Sequence, residues 1–160
     1  MIVGYQVGGY LMELKRALSM YVPSDAPEAN TVILKRKDAG NLATWDELNT
    51  YDKILLRFSC FDRKAFRNAL RSVKVGGSVV YSTCTLSSIQ NEAVVENGVA
   101  IAEQKFGVRV VEESLSQLVT HLASSGLYRF SDQCRTGALV LPFLPSNFGP
   151  MYVCKLTRIA

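Results

Sequence analysis

GGSVVYSTCTLSSIQNE, residues 76 to 92, is the stretch on which the fold and the chemistry turn. A glycine pair precedes SVVYS (78–82), a β-branched and aromatic run with the composition of a short strand. Cys84 follows directly, between Thr83 and Thr85. SSIQNEAVVENGVAIAEQKFG (87–107) then reads as a helix. Ser87 is placed to cap it, with Gln90 at the capping-box position. Glu92 suits its positive N-terminal end, and Gly107 closes it. A strand that ends at a cysteine and turns into a helix sets the thiol at the carboxyl end of the strand. Open α/β sheets bind their ligands there. The helix N-terminus favours the thiolate, and a thiolate so placed attacks an electrophilic carbon. The same local pattern also accommodates an inert thiol filling a strand–helix corner.

On the N-terminal side, Gly8-Gly9 precedes Leu11, Leu14, Leu18 and Tyr21, spaced as one helical face, and Pro23 ends that helix. No apolar strand is expected before the glycine pair. TVILKR (31–36) is a strand candidate, KDAGNLATWDEL (37–48) carries turn residues and then a short helix, and YDKILLRF (51–58) has the apolar run of a buried strand. Ala65, Phe66, Ala69, Leu70 and Val73 mark one helix face, which Gly76-Gly77 is expected to stop. After the helix of 87–107 come strand candidates at VRVVEE (108–113), GALVLPF (137–143) and MYVCKLTR (151–158). Helix and strand alternate through residue 113, which argues for an α/β parallel sheet with helices on its faces. The last part is richer in strands, with antiparallel pairing expected at one sheet edge.

With 160 residues, 48% of them hydrophobic and 20% charged, the composition is that of one globular domain and excludes a disordered chain. No apolar run reaches the ~20 residues of a membrane span. The first residues have neither the layout of a secretory signal nor the composition of a transit peptide. The net charge of +4 fits an acidic partner such as RNA without requiring one. Cys60, Cys84, Cys134 and Cys154 form no CxxC or CxH pair, so no metal site is expected. Arg63, Lys64, Arg67, Arg71 and Lys74 form either a stripe for RNA phosphates or the solvated face of a helix. His121, the one histidine, has no partner pattern, so a thiol hydrolase that needs a histidine base is disfavoured.

GGSVVYSTCTLSSIQNEAVV strongly resembles the second cysteine motif of the Sun-type (NSUN) RNA cytosine-C5 methyltransferases: Gly-Gly, an apolar strand, Tyr-Ser-Thr-Cys-Ser/Thr-Leu, then Glu/Gln-Asn-Glu. NFGPMYVCKLTR (147–158), YVP (21–23) with its acidic loop, and YDKILL (51–56) are similar to the family's mitochondrial small-subunit ribosomal RNA branch. The resemblance implies a partial class I, Rossmann-like S-adenosylmethionine-dependent methyltransferase sheet, with helices on both faces and an antiparallel C-terminal edge. Residues 1–160 would be the C-terminal part of that domain, without its first strands and glycine-rich motif.

The resemblance assigns Cys84 as the nucleophile that attacks C6 of cytosine. It places Cys60 at the position of a second cysteine that helps release the product. Arg57 stands where the family has the aspartate that contacts the target base, and Ser59 where it has proline. A segment after Cys60 looks deleted, which leaves Cys60 open to being an ordinary thiol. Asp38 falls where an acid or amide meets the adenine amino group of S-adenosylmethionine; otherwise it is a turn residue. The implied partners are RNA, as ribosomal RNA, and a helical-repeat protein like a transcription-termination factor; the implied location is the mitochondrion. Two functions follow: an RNA cytosine-C5 methyltransferase, weak or inactive in this chain because key groups are missing, or a non-catalytic RNA- or protein-binding remnant.

Overall fold

Residues 77–83 alternate between one buried and one more open side, and that alternation fixes the main layer. The computed structural model describes residues 2–6, 11–22, 25–27, 32–36, 38–43, 45–58 and 63–160. The chain opens with two parallel strands, β1 (Ile2–Gln6) and β2 (Val32–Arg36), connected through α1 (Leu11–Tyr21). The main sheet contains β3 (Tyr51–Phe58), β4 (Val73–Thr83), β5 (Val110–Glu112), β6 (Arg129–Phe130), β7 (Ala138–Leu141) and β8 (Met151–Arg158). Its order is β3-β4-β8-β7-β6, with β5 also on β8. β3 runs parallel to β4, and every other pair in this sheet is antiparallel.

The register Val79↔Leu156, Tyr81↔Cys154 and Thr83↔Tyr152 lines up one buried face across β4 and β8. Two helices, α2 (Arg63–Ser72) and α3 (Glu92–Phe106), contribute Phe66, Leu70, Val94, Val95 and Ala102 to the same core. Burying each large side chain contributes ~1.5–3 kcal/mol. The rings of Phe66, Tyr81 and Tyr152 meet edge-on at centroid distances of 5.2 and 6.2 Å. A fourth helix, α4 (Ser116–Ser124), precedes β6; the sequence patterns had marked neither element.

Several expectations need correction. A strand, β1, does precede Gly8-Gly9. Its five residues carry little signal alone; pairing with β2, from Ile2↔Val32 to Gln6↔Arg36, makes them a strand. Gly8 and Gly9 themselves lie outside the described residues. The described part of 38–50 forms turns rather than a short helix. Side chains compete with a helical backbone here: Gly40 N–H donates to Asp38 Oδ1 at 2.8 Å, and Ala43 N–H to Asn41 Oδ1 at 3.1 Å.

Gly76-Gly77 does not stop α2, which ends at Ser72 and passes directly into β4. Gly76 has a φ of +81°, and the β3–β4 register jumps there from Tyr51↔Val73 to Lys53↔Ser78. The pair is an irregularity inside the strand. A Cβ on Gly77 would lie 2.6 Å from the Asp52 carbonyl oxygen, which explains the second glycine. β3 is an edge strand of the main sheet and leaves Leu55 73% exposed, so its apolar run is not buried on both faces. The antiparallel C-terminal edge is present as expected, formed by β8, β7 and β6, with β8 itself lying between β4 and β7.

The approach of α2 to α3 depends on Gly98. A Cβ there would run into the ring of Phe66, which is fully buried. Overpacking of this kind costs ~1–3 kcal/mol, and the better helix propensity of alanine returns ~1 kcal/mol. Gly98→Ala is therefore expected to lower stability by up to about 2 kcal/mol, read as a lower urea midpoint with an unchanged slope. An equal or higher midpoint would show that the Phe66 ring has room to move.

Candidate active site

β4 ends at Thr83, and the next residue, Cys84, is exposed. Its two neighbours are held. Thr83 is buried and its hydroxyl donates to Asn91 Oδ1 at 2.5 Å. Asn91 Nδ2–H donates to the Thr85 carbonyl at 2.9 Å. Thr85 Oγ1 accepts the Ser87 N–H at 3.1 Å. Tyr81 O–H donates to the Gln90 carbonyl at 2.7 Å, and burial pushes its pKa up to about 12, so it remains a donor. The loop of 84–91 is thus closed by side chains onto the strand that delivers it.

α3 starts at Glu92, later than the expected Ser87, with Asn91 at the N-cap position and no side-chain cap bond. Residues 88–91 form turns instead, with the Gln90 and Asn91 N–H groups both donating to the Ser87 carbonyl at 3.0 Å. Glu92 is buried and reaches across to the loop after β6, where it accepts the Arg135 N–H at 2.6 Å. Arg135 also pairs with Glu96 at 3.3 Å.

The carboxyl end of β3 lies beside Cys84, because Arg57 pairs with Ser82 and Phe58 with Thr83. Arg57 is exposed there, so the structure brings a thiol and a guanidinium to neighbouring strand ends. Cys60 and Ser59 lie outside the described residues. Asp38 is exposed just beyond β2, and its Oδ1 closes its own turn through Gly40. That loop is fastened to α2: Asn68 Nδ2–H donates to the Ala39 carbonyl at 2.6 Å, and buried Trp45 donates to Ser72 Oγ at 2.6 Å. Lys35 of β2 pairs with Glu47 at 2.8 Å, and Glu47 also accepts the Tyr51 hydroxyl of β3.

The other candidates separate clearly. His121 is exposed on α4. Lys74 of the basic cluster pairs with Asp52 at 2.9 Å, and the Arg71 guanidinium stacks 4.3 Å over the Phe106 ring. Those two charges serve the fold rather than a free stripe. Among the described residues, no group of three His, Cys, Asp or Glu is placed to hold a metal ion. Among them, too, no helix is long and apolar enough to cross a membrane. The sequence reading missed Asn91. Its signal was the asparagine of the Gln-Asn-Glu triplet, which the motif contains but composition gives no reason to single out.

No protein-family model matches the chain. Among curated proteins, it is 54% identical over 177 residues to the 5-cytosine rRNA methyltransferase nsun-4 of Caenorhabditis elegans, covering 93% of this chain and 38% of that protein. The chain belongs to the Sun-type RNA cytosine-C5 methyltransferase family. A second member, the 5-cytosine rRNA methyltransferase NSUN4 of Xenopus tropicalis, is 37% identical over 91% of the chain and 42% of its own length. The chain spans about two fifths of these Sun-type relatives. The 177-residue match exceeds the 160 residues of the chain, so nsun-4 has residues within it that lack a counterpart here. Among solved structures, Pyrococcus horikoshii NSun6 with SFG superposes with a TM-score of 0.64 at 20% identity, over 99% of this chain and 41% of that one. That likeness establishes the Rossmann-like methyltransferase fold.

The environments of the three described cysteines predict an order of reactivity. Burial pushes the Cys154 pKa up to about 12, and burial together with the charge of Glu92 raises that of Cys134. Cys154 therefore stays protonated, and hence unreactive, where an ordinary thiol ionises, and Cys134 ionises less readily than an ordinary thiol. Iodoacetamide at pH 8 is expected to label Cys84 first and Cys134 slowly, with Cys154 protected until the chain unfolds, as read by peptide mass mapping. Labelling of Cys154 at the Cys84 rate in folded protein would contradict the burial of β8.

Proposed function

We propose that this chain carries the nucleophilic half of an RNA cytosine-C5 methyltransferase, with Cys84 as the nucleophile and ribosomal RNA as the substrate. The observation that carries the reading is an exposed thiol at the carboxyl end of β4, between two residues tied to the start of α3. The Cys84 sulfur adds to C6 of a cytosine, and the C5–C6 π pair shifts onto C5, which becomes nucleophilic. S-adenosylmethionine, when bound, supplies the electrophilic methyl group that C5 takes up. Loss of the C5 proton then expels the Cys84 thiolate by β-elimination. Cys60 is the proposed second thiol for that release.

The described residues fit one end of S-adenosylmethionine. Asp38 is exposed beyond β2, and a carboxylate has acceptor capacity beyond the single turn bond to Gly40, enough for an adenine amino group. The turn bond also orients the carboxylate, so the turn and adenine roles are compatible.

Turnover by this chain is weak. Arg57 presents a cation at the strand end where the family resemblance calls for a base-contacting aspartate, and mispositioning of reactants costs orders of magnitude. That substitution also gives weight to a second reading, a member that binds RNA without methylating it. The names of the relatives point to ribosomal RNA. Mitochondrial residence and a helical-repeat partner like a transcription-termination factor belong to the same proposal.

The test is transfer of labelled methyl groups from S-adenosylmethionine to a small-subunit ribosomal RNA fragment. The purified chain is expected to be slow, Cys84→Ala inactive, and Arg57→Asp faster by about tenfold or more. Asp38→Ala is expected to weaken S-adenosylmethionine binding, read by calorimetry. Undiminished transfer by Cys84→Ala would remove the nucleophile from the proposal. No transfer by any variant, with RNA binding retained, would favour the non-catalytic reading.

A further inference from the structure

We propose that Asn91 is the positioning residue for the Cys84 thiol, holding the residue before it and the residue after it through the two ends of one carboxamide. The inference rests on the reading of Cys84 as nucleophile and adds to it the group that sets its geometry. Asn91 is 2% exposed, and its side chain has no helix-capping bond. Its Oδ1 accepts from Thr83 Oγ1 at 2.5 Å, and its Nδ2 donates to the Thr85 carbonyl at 2.9 Å. Between those two anchors stands exposed Cys84. The clamp is itself fixed at its base. The Asn91 N–H donates to the Ser87 carbonyl at 3.0 Å, and its carbonyl accepts the Val94 N–H at 3.2 Å in the first turn of α3. The neighbouring Gln90 carbonyl is held by Tyr81.

The chemistry requires such a device. A thiol on a free loop samples many directions, whereas addition to C6 needs the sulfur at near-attack distance along one approach. A carboxamide suits the clamp because one end only accepts and the other only donates. Aspartate keeps the acceptor for Thr83 but has no donor for Thr85, and alanine keeps neither. Both partners of Asn91 lie within the motif that carries the cysteine, so losing it frees Cys84 without touching the β4–β8 pairing.

The experiment measures covalent capture of RNA containing 5-azacytosine, with S-adenosylmethionine present. Nitrogen at position 5 carries no proton to lose after methyl uptake, so β-elimination stops and the Cys84–C6 bond persists. Asn91→Ala is expected to lower the capture rate at saturating RNA by about tenfold or more, with RNA affinity within about twofold of wild type. Asn91→Asp falls between the two, and Thr83→Val, which keeps the side-chain volume, also slows capture. Far-UV circular dichroism and the melting temperature report folding of each variant.

A Cys84 carrying a 13C-methylthio label supplies a second readout that needs no RNA. One sharp resonance is expected in wild type, and broadened or multiple resonances in Asn91→Ala and Thr83→Val. A folded Asn91→Ala with capture and resonance both unchanged overturns the proposal. If Asn91→Ala unfolds, the two readouts on Thr83→Val decide in the same way. If wild type captures no RNA, the nucleophile assignment fails, and the label alone decides the clamp: one sharp resonance in every variant overturns it.

Discussion

β4 is hydrogen-bonded along both edges, in parallel to β3 and antiparallel to β8, and the placement of the functional side chains follows from that double pairing. Pairing on both sides fixes which face of the strand is buried, since a slip of one residue would turn Val79, Tyr81 and Thr83 toward solvent. With Thr83 held inward, Cys84 is the first residue free to leave the layer. The antiparallel β8 matters as much as the parallel β3, because Leu156, Cys154 and Tyr152 complete the same buried face. Tyr152 extends its hold further, since its hydroxyl donates to the Thr136 carbonyl at 2.8 Å and ties down the loop that meets Glu92.

On the proposed function, the two halves of the chemistry are in unequal condition. On the two sides of the thiol, side-chain hydrogen bonds join residues of the cysteine motif itself: Thr83, Thr85, Ser87 and Asn91. At the neighbouring strand end, Arg57 brings a positive charge next to the place where a cytosine would be oriented. An acceptor for a base amino group and a guanidinium are opposites in hydrogen bonding, so on the proposed function an arginine in place of an aspartate bears on recognition rather than on nucleophilicity. The thiol half is built from local sequence. The base half comes from a different strand, so one can change while the other is kept.

Local patterns made part of this legible. The run at 78–82, the cysteine after it and the long apolar helix that follows gave β4, Cys84 and α3 from short stretches whose own propensities agree with the fold. MYVCKLTR was readable as a strand for the same reason. What failed depended on distant partners. β1 is a strand because β2 pairs with it from about 30 residues away. Gly76-Gly77 looks like a helix stop until the close approach of the Asp52 carbonyl shows why the strand needs glycine there. The start of α3 moved from Ser87 to Glu92 because residues 88–91 form turns, with the Gln90 and Asn91 N–H groups bonded back to the Ser87 carbonyl. β3 looks buried by composition, yet its place at the edge of the main sheet leaves Leu55 in the open.

On the proposed mechanism Cys84, and no other described thiol, bonds to the RNA base. Tandem mass spectrometry of the protease-digested adduct between the chain and 5-azacytosine RNA tests this most directly. A nucleotide remnant is expected on the peptide that contains Cys84, with the Cys134 and Cys154 peptides unmodified. A remnant on either of the other two, or an adduct that forms equally well in Cys84→Ala, would contradict it.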